Sequence, residues 1–216
     1  MAASVTACSE LIKAAIEAFS EDSGGDLADG TEELMKRIMA RIRSGDKQTL
    51  FTAVLMAIHN AKQRAGRGSE ADRCAERETL ACLEMLVDAL RGRGVSEADL
   101  IIGLDKQNAS SKTALMLAAV FDYEHAALFL LERGAGALAL EAGGSWSPLH
   151  LAAHNCAKKA LRVLLLYAGG VPRESLAQVY RLACSIMDPR DREDVKSIIG
   201  VYASSELGFD IEDPSK

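Results

Sequence analysis

Apolar residues along this chain recur at helical spacing and do not alternate strictly over any stretch that would suggest a strand. Val5, Leu11, Ile12, Ala15, Ile16 and Phe19 make a stripe that predicts an amphipathic N-terminal helix seeking a partner surface. Ser20 to Gly30 is acidic and glycine-rich and reads as a flexible connection. A second helix is predicted from Thr31 to Arg43, with Glu32 and Glu33 in its first turn and Arg41 and Arg43 in its last, matching the helix dipole. Further on, Leu80, Leu83, Leu86, Val87 and Leu90 restore the stripe. Arg91 to Gly94 ends that helix, and Ser96 caps a short helix or turn over SEADLIIGL. Near the other end, Leu176, Val179, Tyr180, Leu182, Ala183 and Ile186 share one face of a helix over 173–187. Asp188-Pro189 breaks it, and Val195, Ile198, Ile199 and Val201 form the face of a partner over 192–203.

The middle of the chain repeats itself. KTALMLAAVFDYEHAALFLLERGAG is followed 34 residues later by WSPLHLAAHNCAKKALRVLLLYAGG, with Leu115/Leu149, Leu117/Leu151, Ala118/Ala152, Ala119/Ala153, Ala126/Ala160, Leu130/Leu164 and Leu131/Leu165 identical at that offset. A fixed short period marks stacked helix pairs, each burying its apolar face only against its neighbours. Ser147 is suited to cap a helix, and Pro148 to its first position, where the missing N–H costs nothing. Small alanines then let a neighbouring helix approach while leucines fill the layer between.

Ser147-Pro148-Leu149-His150-Leu151-Ala152-Ala153 comes within one residue of the T-P-L-H-x-A signature, so the stretch resembles an ankyrin repeat. The tetratricopeptide repeat has the same length, but neither copy supplies its early Trp, Leu-Gly and Tyr. The resemblance implies an all-α ankyrin-repeat solenoid of about four helix pairs with an extra N-terminal helix, and it implies that His150 bonds to the turn of an adjoining repeat. The division that follows is an N-terminal helix and acidic linker at 1–30, a repeat domain at 31–203, and an acidic tail at 204–216. Within the domain lie clear repeats at 105–138 and 139–172 and a more polar C-terminal cap at 173–203. Thr52 to Asn60, TAVLMAIHN, aligns with Ser147 to Asn155 and reads as a degenerate first repeat. An insertion, 62–78, then separates its two helices, as a surface loop that binds, as a tolerated surface loop, or as an extension of both helices into a longer hairpin.

Composition narrows the function. A net charge of −6 lacks the basic footprint that nucleic acid or an anionic membrane requires. No window reaches 18 consecutive apolar residues, and the N-terminus has no basic and then apolar leader, so the expectation is a protein without membrane insertion, cytoplasmic and monomeric. Cys8, Cys74, Cys82, Cys156 and Cys184 contain no C-x-x-C pair and suit free thiols in a reducing compartment, with neither disulfide nor metal site. His154 and Cys156 stand too close in sequence to face each other on a helix, and no hydrolase, metalloprotease or nucleotide-binding motif is present. No catalytic residue and no cofactor is therefore assigned.

The resemblance implies protein binding. By the resemblance, partners lie against the finger tips and the exposed side of each first helix, which assigns Lys112 and Trp146 ahead of the caps, Val120 and His154 after the Ala-Ala pair, and Phe121 and Tyr123 beyond. Trp146, the sole tryptophan, is the favoured hot spot. Lys62, Arg64 and Arg67 offer a second, cationic contact in the insertion. The expected function is a non-enzymatic scaffold or adaptor for another protein. An effector or inhibitor that sequesters a host or regulatory protein is the alternative, and a small hydrolase with an unrecognised site the next.

Overall fold

The structure, a computed structural model, describes residues 49–65, 69–141, 144, 146–167, 170–206 and 208. The two helices expected before Thr49 and the end of the acidic tail lie outside these residues. The described residues are helical, without a strand: α1 Leu50–Ala65, α2 Ser69–Gly92, α3 Glu97–Leu104, α4 Ala114–Val120, α5 Glu124–Glu132, α6 Pro148–His154, α7 Lys158–Tyr167, α8 Arg173–Cys184 and α9 Pro189–Glu206. No helix among them is long and apolar enough to cross a membrane.

Four pairs stack in chain order. The first helices α1, α4, α6 and α8 pack in succession in one layer, and the second helices α2, α5, α7 and α9 in another, while the short α3 lies against α1. The first helices are the inner slabs of this arrangement: Leu50 to Leu55, Ala114 to Ala119 and Pro148 to Ala153 are buried without a break. A helix apolar all round is stable only when covered on every side, which successive pairs accomplish. Fully buried Leu55, Leu83, Leu86, Leu115, Leu130, Leu149, Leu161 and Leu164 carry the layer between pairs, at about 1.5–3 kcal/mol each.

The same helix start is built three times from different side chains. Ser147 N–H donates to His150 Nδ1 at 3.3 Å, Thr113 N–H to Met116 Sδ at 3.4 Å and Thr49 N–H to Thr52 Oγ1 at 2.8 Å. In each case the capping carbonyl accepts the first helical bond, from Leu151, Leu117 and Ala53. This fixes the register of the first pair and corrects the sequence alignment. Thr49, not Thr52, occupies the place of Ser147, so the match through Thr52, His59 and Asn60 was displaced by three residues, close to one helical turn. Thr52 instead takes the place of His150. The displaced match was persuasive because a slip of about one turn keeps apolar residues on nearly the same face.

Within the 62–78 insertion, residues 62–65 continue α1 and 69–78 belong to α2. The expected short helix after Ser96 is present as α3, with Ser96 Oγ accepting from Asp99 N–H at 3.2 Å. In the last pair, α9 begins at Pro189, three residues earlier than the apolar pattern indicated. Asp188 caps it by accepting from the N–H groups of Arg190 and Asp191, and Pro189 falls where a proline is tolerated.

Carboxylates tie each second helix to the pair before it. Glu76 of α2, itself buried, accepts from the His125 N–H at 2.8 Å in the first turn of α5. Asp122, in the turn between α4 and α5, accepts from the Lys159 and Ala160 N–H groups at 2.9 and 3.0 Å at the start of α7. At the following junction Cys156 stands in the place of Asp122 with the same left-handed backbone, φ 55° against 56°. There, Lys158 bridges to Asp191 and Asp194 of α9 instead. Anionic groups at helix N-termini meet the positive end of the dipole.

Candidate functional site

The segments that lead into α4 and α6 form two turns laced side by side. Asn108 closes the first, its Oδ1 accepting from Ser110 and Lys112 N–H groups at 2.9 and 3.0 Å. Glu141 N–H donates to the Trp146 carbonyl at 3.1 Å across the second. Between them, Asp105 Oδ1 accepts from Gly136 N–H at 2.7 Å and Gln107 Nε2 donates to the Leu140 carbonyl at 2.7 Å. Lys112 is ion-paired with Glu141 in a largely covered position. Its ammonium is thus committed to the neighbouring turn, and what it offers a partner is the edge of a rigid pair of fingers.

Beside these turns lie the exposed ends of the first helices. Trp146 is partly buried, with its ring edge-to-face with the exposed His154 ring at a centroid distance of 4.9 Å. One pair earlier, Val120 and Phe121 are also partly buried, and Phe121 stacks flat on His59 of α1 at 3.7 Å and 3°. Tyr123, expected with them at the surface, is only 2% exposed. Its hydroxyl lies 3.0 Å from His59 Nδ1, so it supports the His59–Phe121 stack from beneath and offers no surface of its own. His59 itself was missed, because what brings it to this face is its stack on Phe121 of the next pair, which no local pattern encodes.

Val120 and His154 occupy corresponding places in successive pairs, as do Lys112 and Trp146, and the ring contacts hold Trp146, His154 and Phe121 in set orientations. Rigid aromatic side chains lose little entropy when a partner covers them. The cationic alternative lies outside the described residues: Lys62 and Arg64 have helical backbone but undescribed side chains, and Arg67 falls between the two helices. A separate apolar cleft of about 340 Å³ lies between α7 and α9, where Leu165, Leu166, Ile198, Val201 and Tyr202 line it with Arg162 at its edge. Leu166 and Val201 are 64% and 65% exposed. The run Leu164-Leu165-Leu166-Tyr167, more apolar than a one-sided helix needs, was the available signal.

The nucleophile candidates face the wrong way electrostatically. Burial, reinforced by the Glu78 carboxylate, pushes the Cys82 thiol up to about 12. Burial and the Asp191 carboxylate also raise Cys156, which sits on the left-handed turn after α6. A reactive thiol needs the opposite surroundings. His150 Nδ1 accepts from the Ser147 backbone, which leaves Nε2 to donate to Gln178 Oε1 of α8 at 3.3 Å. The expected bond to an adjoining turn is therefore a bond to the next first helix. Burial lowers the pKa of this ring against the opposing effect of Gln178, consistent with a neutral imidazole serving as a tie between pairs. Compared with family models, curated proteins and solved structures, the chain matches none.

Proposed function

We propose that this chain is a non-enzymatic scaffold of the ankyrin-repeat type, which binds another protein across the finger turns and the exposed ends of its first helices. The observation that carries this reading is the pair Trp146 and His154: a partly buried indole braced edge-to-face by an exposed imidazole beside two interlocked turns. The 34-residue repeat, the serially stacked pairs and the recurring cap at Thr49, Thr113 and Ser147 support the assignment to that class. Val120 and Phe121 extend the surface one pair back, and His59 joins it through its stack on Phe121. Lys112 contributes by fixing the finger through Glu141, and Tyr123 by holding His59.

Affinity capture with the intact chain and with Trp146→Ala, read by mass spectrometry, tests the reading. A protein retained by the parent and lost by the variant is the expected result. Turnover in a substrate panel with no protein captured would overturn it.

A further inference from the structure

The layer of second helices is charged where it meets water in one repeat and apolar in the next. Leu166 and Tyr167 close α7 at the places that Glu132 and Arg133 hold 34 residues earlier, at the end of α5. Glu132 is exposed, as a charged residue there should be, yet Leu166 and Tyr167 are exposed as well, at 64% and 55%. Leu166 shares the cleft between α7 and α9 with Val201, which also exposes most of its side chain. An apolar cluster set where the chain's own repeat uses charge marks an interaction surface, not a solvated helix.

The walls and the charge around them define what fits. Leu165 and Leu166 with Arg162 on α7, and Ile198, Val201 and Tyr202 on α9, recur at three- and four-residue spacing, so each wall is one face of a helix. The α9 wall runs from Ser197 to Ser205, about 12 Å or just over two turns. Over 158–167 and 195–205 the charged residues are Lys158, Lys159, Arg162 and Lys196, all cationic in a chain of net charge −6. Lys158 is engaged by Asp191 and Asp194, and Lys196 by Glu193. Arg162, at the edge of the cleft, is exposed and has no carboxylate paired with it among the described residues.

We propose that this cleft seats an acidic amphipathic helix of a partner protein, on a surface separate from the one at Trp146. The apolar stripe of that helix fills the groove over Leu166 and Val201, and a carboxylate on its flank pairs with Arg162. A helix laid in a groove satisfies its own backbone and presents anchors at i, i+3, i+4 and i+7, which two turns of wall accommodate. Strand addition would need an open sheet edge, and the described residues contain no strand. A small acyl carboxylate would match the charge but remain largely in water between lips this exposed, whereas small-ligand sites bury about 70–90% of their occupant.

The test uses the full chain and a fluorescent model helix of about 18 residues, with leucine at i, i+3, i+4 and i+7 and glutamate at the flanking positions, long enough to hold a helix in water. A twin carries lysine for glutamate. Titrated by anisotropy, the glutamate helix should bind about fivefold more tightly than its twin, the difference between an exposed ion pair and a repulsion. Arg162→Glu should invert that order. Leu166→Gln with Val201→Gln should weaken the glutamate helix at least about tenfold, and because both side chains are exposed, the Tm of that variant should match the parent's. Equal affinities for the two helices, no binding of either, or an order that Arg162→Glu leaves unchanged overturns the proposal. Binding of dodecanoate in place of either helix overturns it in favour of an acyl carboxylate. A parent that dimerises where the Leu166→Gln/Val201→Gln variant is monomeric overturns it in favour of a second copy of the chain.

Discussion

Asp122 offers a measurement of how the second layer is held together. Its carboxylate accepts two N–H bonds, from Lys159 and Ala160, at a helix start 37 and 38 residues away, while its own backbone is left-handed at φ 56°. Replacing it with alanine removes the cap, at about 1–2 kcal/mol, and places a Cβ-bearing residue without a local hydrogen bond in the left-handed region, at roughly 1 kcal/mol more. Asp122→Gly removes the cap but relieves the backbone. Asp122→Asn keeps a side-chain oxygen in the same place and tolerates the same φ. Burial sets the Asp122 carboxyl above its ordinary value, outweighing the two backbone bonds that lower it. The folded chain therefore takes up that proton more readily than the unfolded one. The stabilisation due to this group is present below the unfolded value and is lost as pH rises through the folded one. A neutral amide therefore sacrifices little at neutral pH. In a chain of this size about 1 kcal/mol moves Tm by roughly 2–4 °C. Thermal melts followed by circular dichroism should place Asp122→Ala about 5–10 °C below the parent, Asp122→Gly between, and Asp122→Asn within about 2 °C. If asparagine is as damaging as alanine, acceptance of the α7 N–H groups is not what Asp122 does. If glycine and alanine coincide, the backbone carries no strain there.

Other perturbations follow from the same geometry. His150→Met copies the side chain found at Met116 and should cost under about 1.5 kcal/mol. Because burial depresses the His150 value below 6.5, stability due to its neutral ring is present above that pH and lost as the pH falls through the folded value. The variant should accordingly flatten the parent's loss of stability on acidification, as read by urea melts at stepped pH. Tyr123→Phe deprives His59 of its hydroxyl partner and should cost about 1 kcal/mol by the same assay, with partner affinity reduced less than by Trp146→Ala. Gly134→Ala forces a Cβ to 3.2 Å from Ile101 at φ 86°, and its melt should fall by the equivalent of about 1–2 kcal/mol. A parent-like Tm would show that the turn re-forms with another φ.

The described helices after Arg91 were largely legible in the sequence because their stripes are bounded by glycine, proline and capping residues. Gly134 ends α5, Ser147-Pro148 starts α6, and Ser96 starts α3. What failed failed for physical reasons. The first pair was misregistered because Thr49 caps with Thr52 in place of a recognisable proline or histidine, and the capping bond is chemically tolerant: threonine, methionine and histidine all serve at the third helical position. Tyr123 was placed outside because position alone cannot reveal that its hydroxyl reaches His59, 64 residues earlier, from within the core. The bonds of Asp122 and Glu76 to later helices, and the cleft between α7 and α9, arise from juxtapositions across pairs that no local pattern encodes. Trp146 and His154 were legible as members of one face because the repeat supplies their places, and the edge-to-face contact between them is what the three-dimensional arrangement adds.

The central claim is that Trp146 sits on a prebuilt face that binds protein while the stack beneath it stands by itself. The direct measurement is a calorimetric titration of the captured partner with parent and Trp146→Ala, alongside the melting curve of each. A truncated hot-spot aromatic should weaken affinity by about 2 kcal/mol or more, roughly thirtyfold, with Tm nearly unchanged. Unchanged affinity, or a fall in Tm large enough to signal the roughly 3–5 kcal/mol of an emptied aromatic core site, would contradict the account.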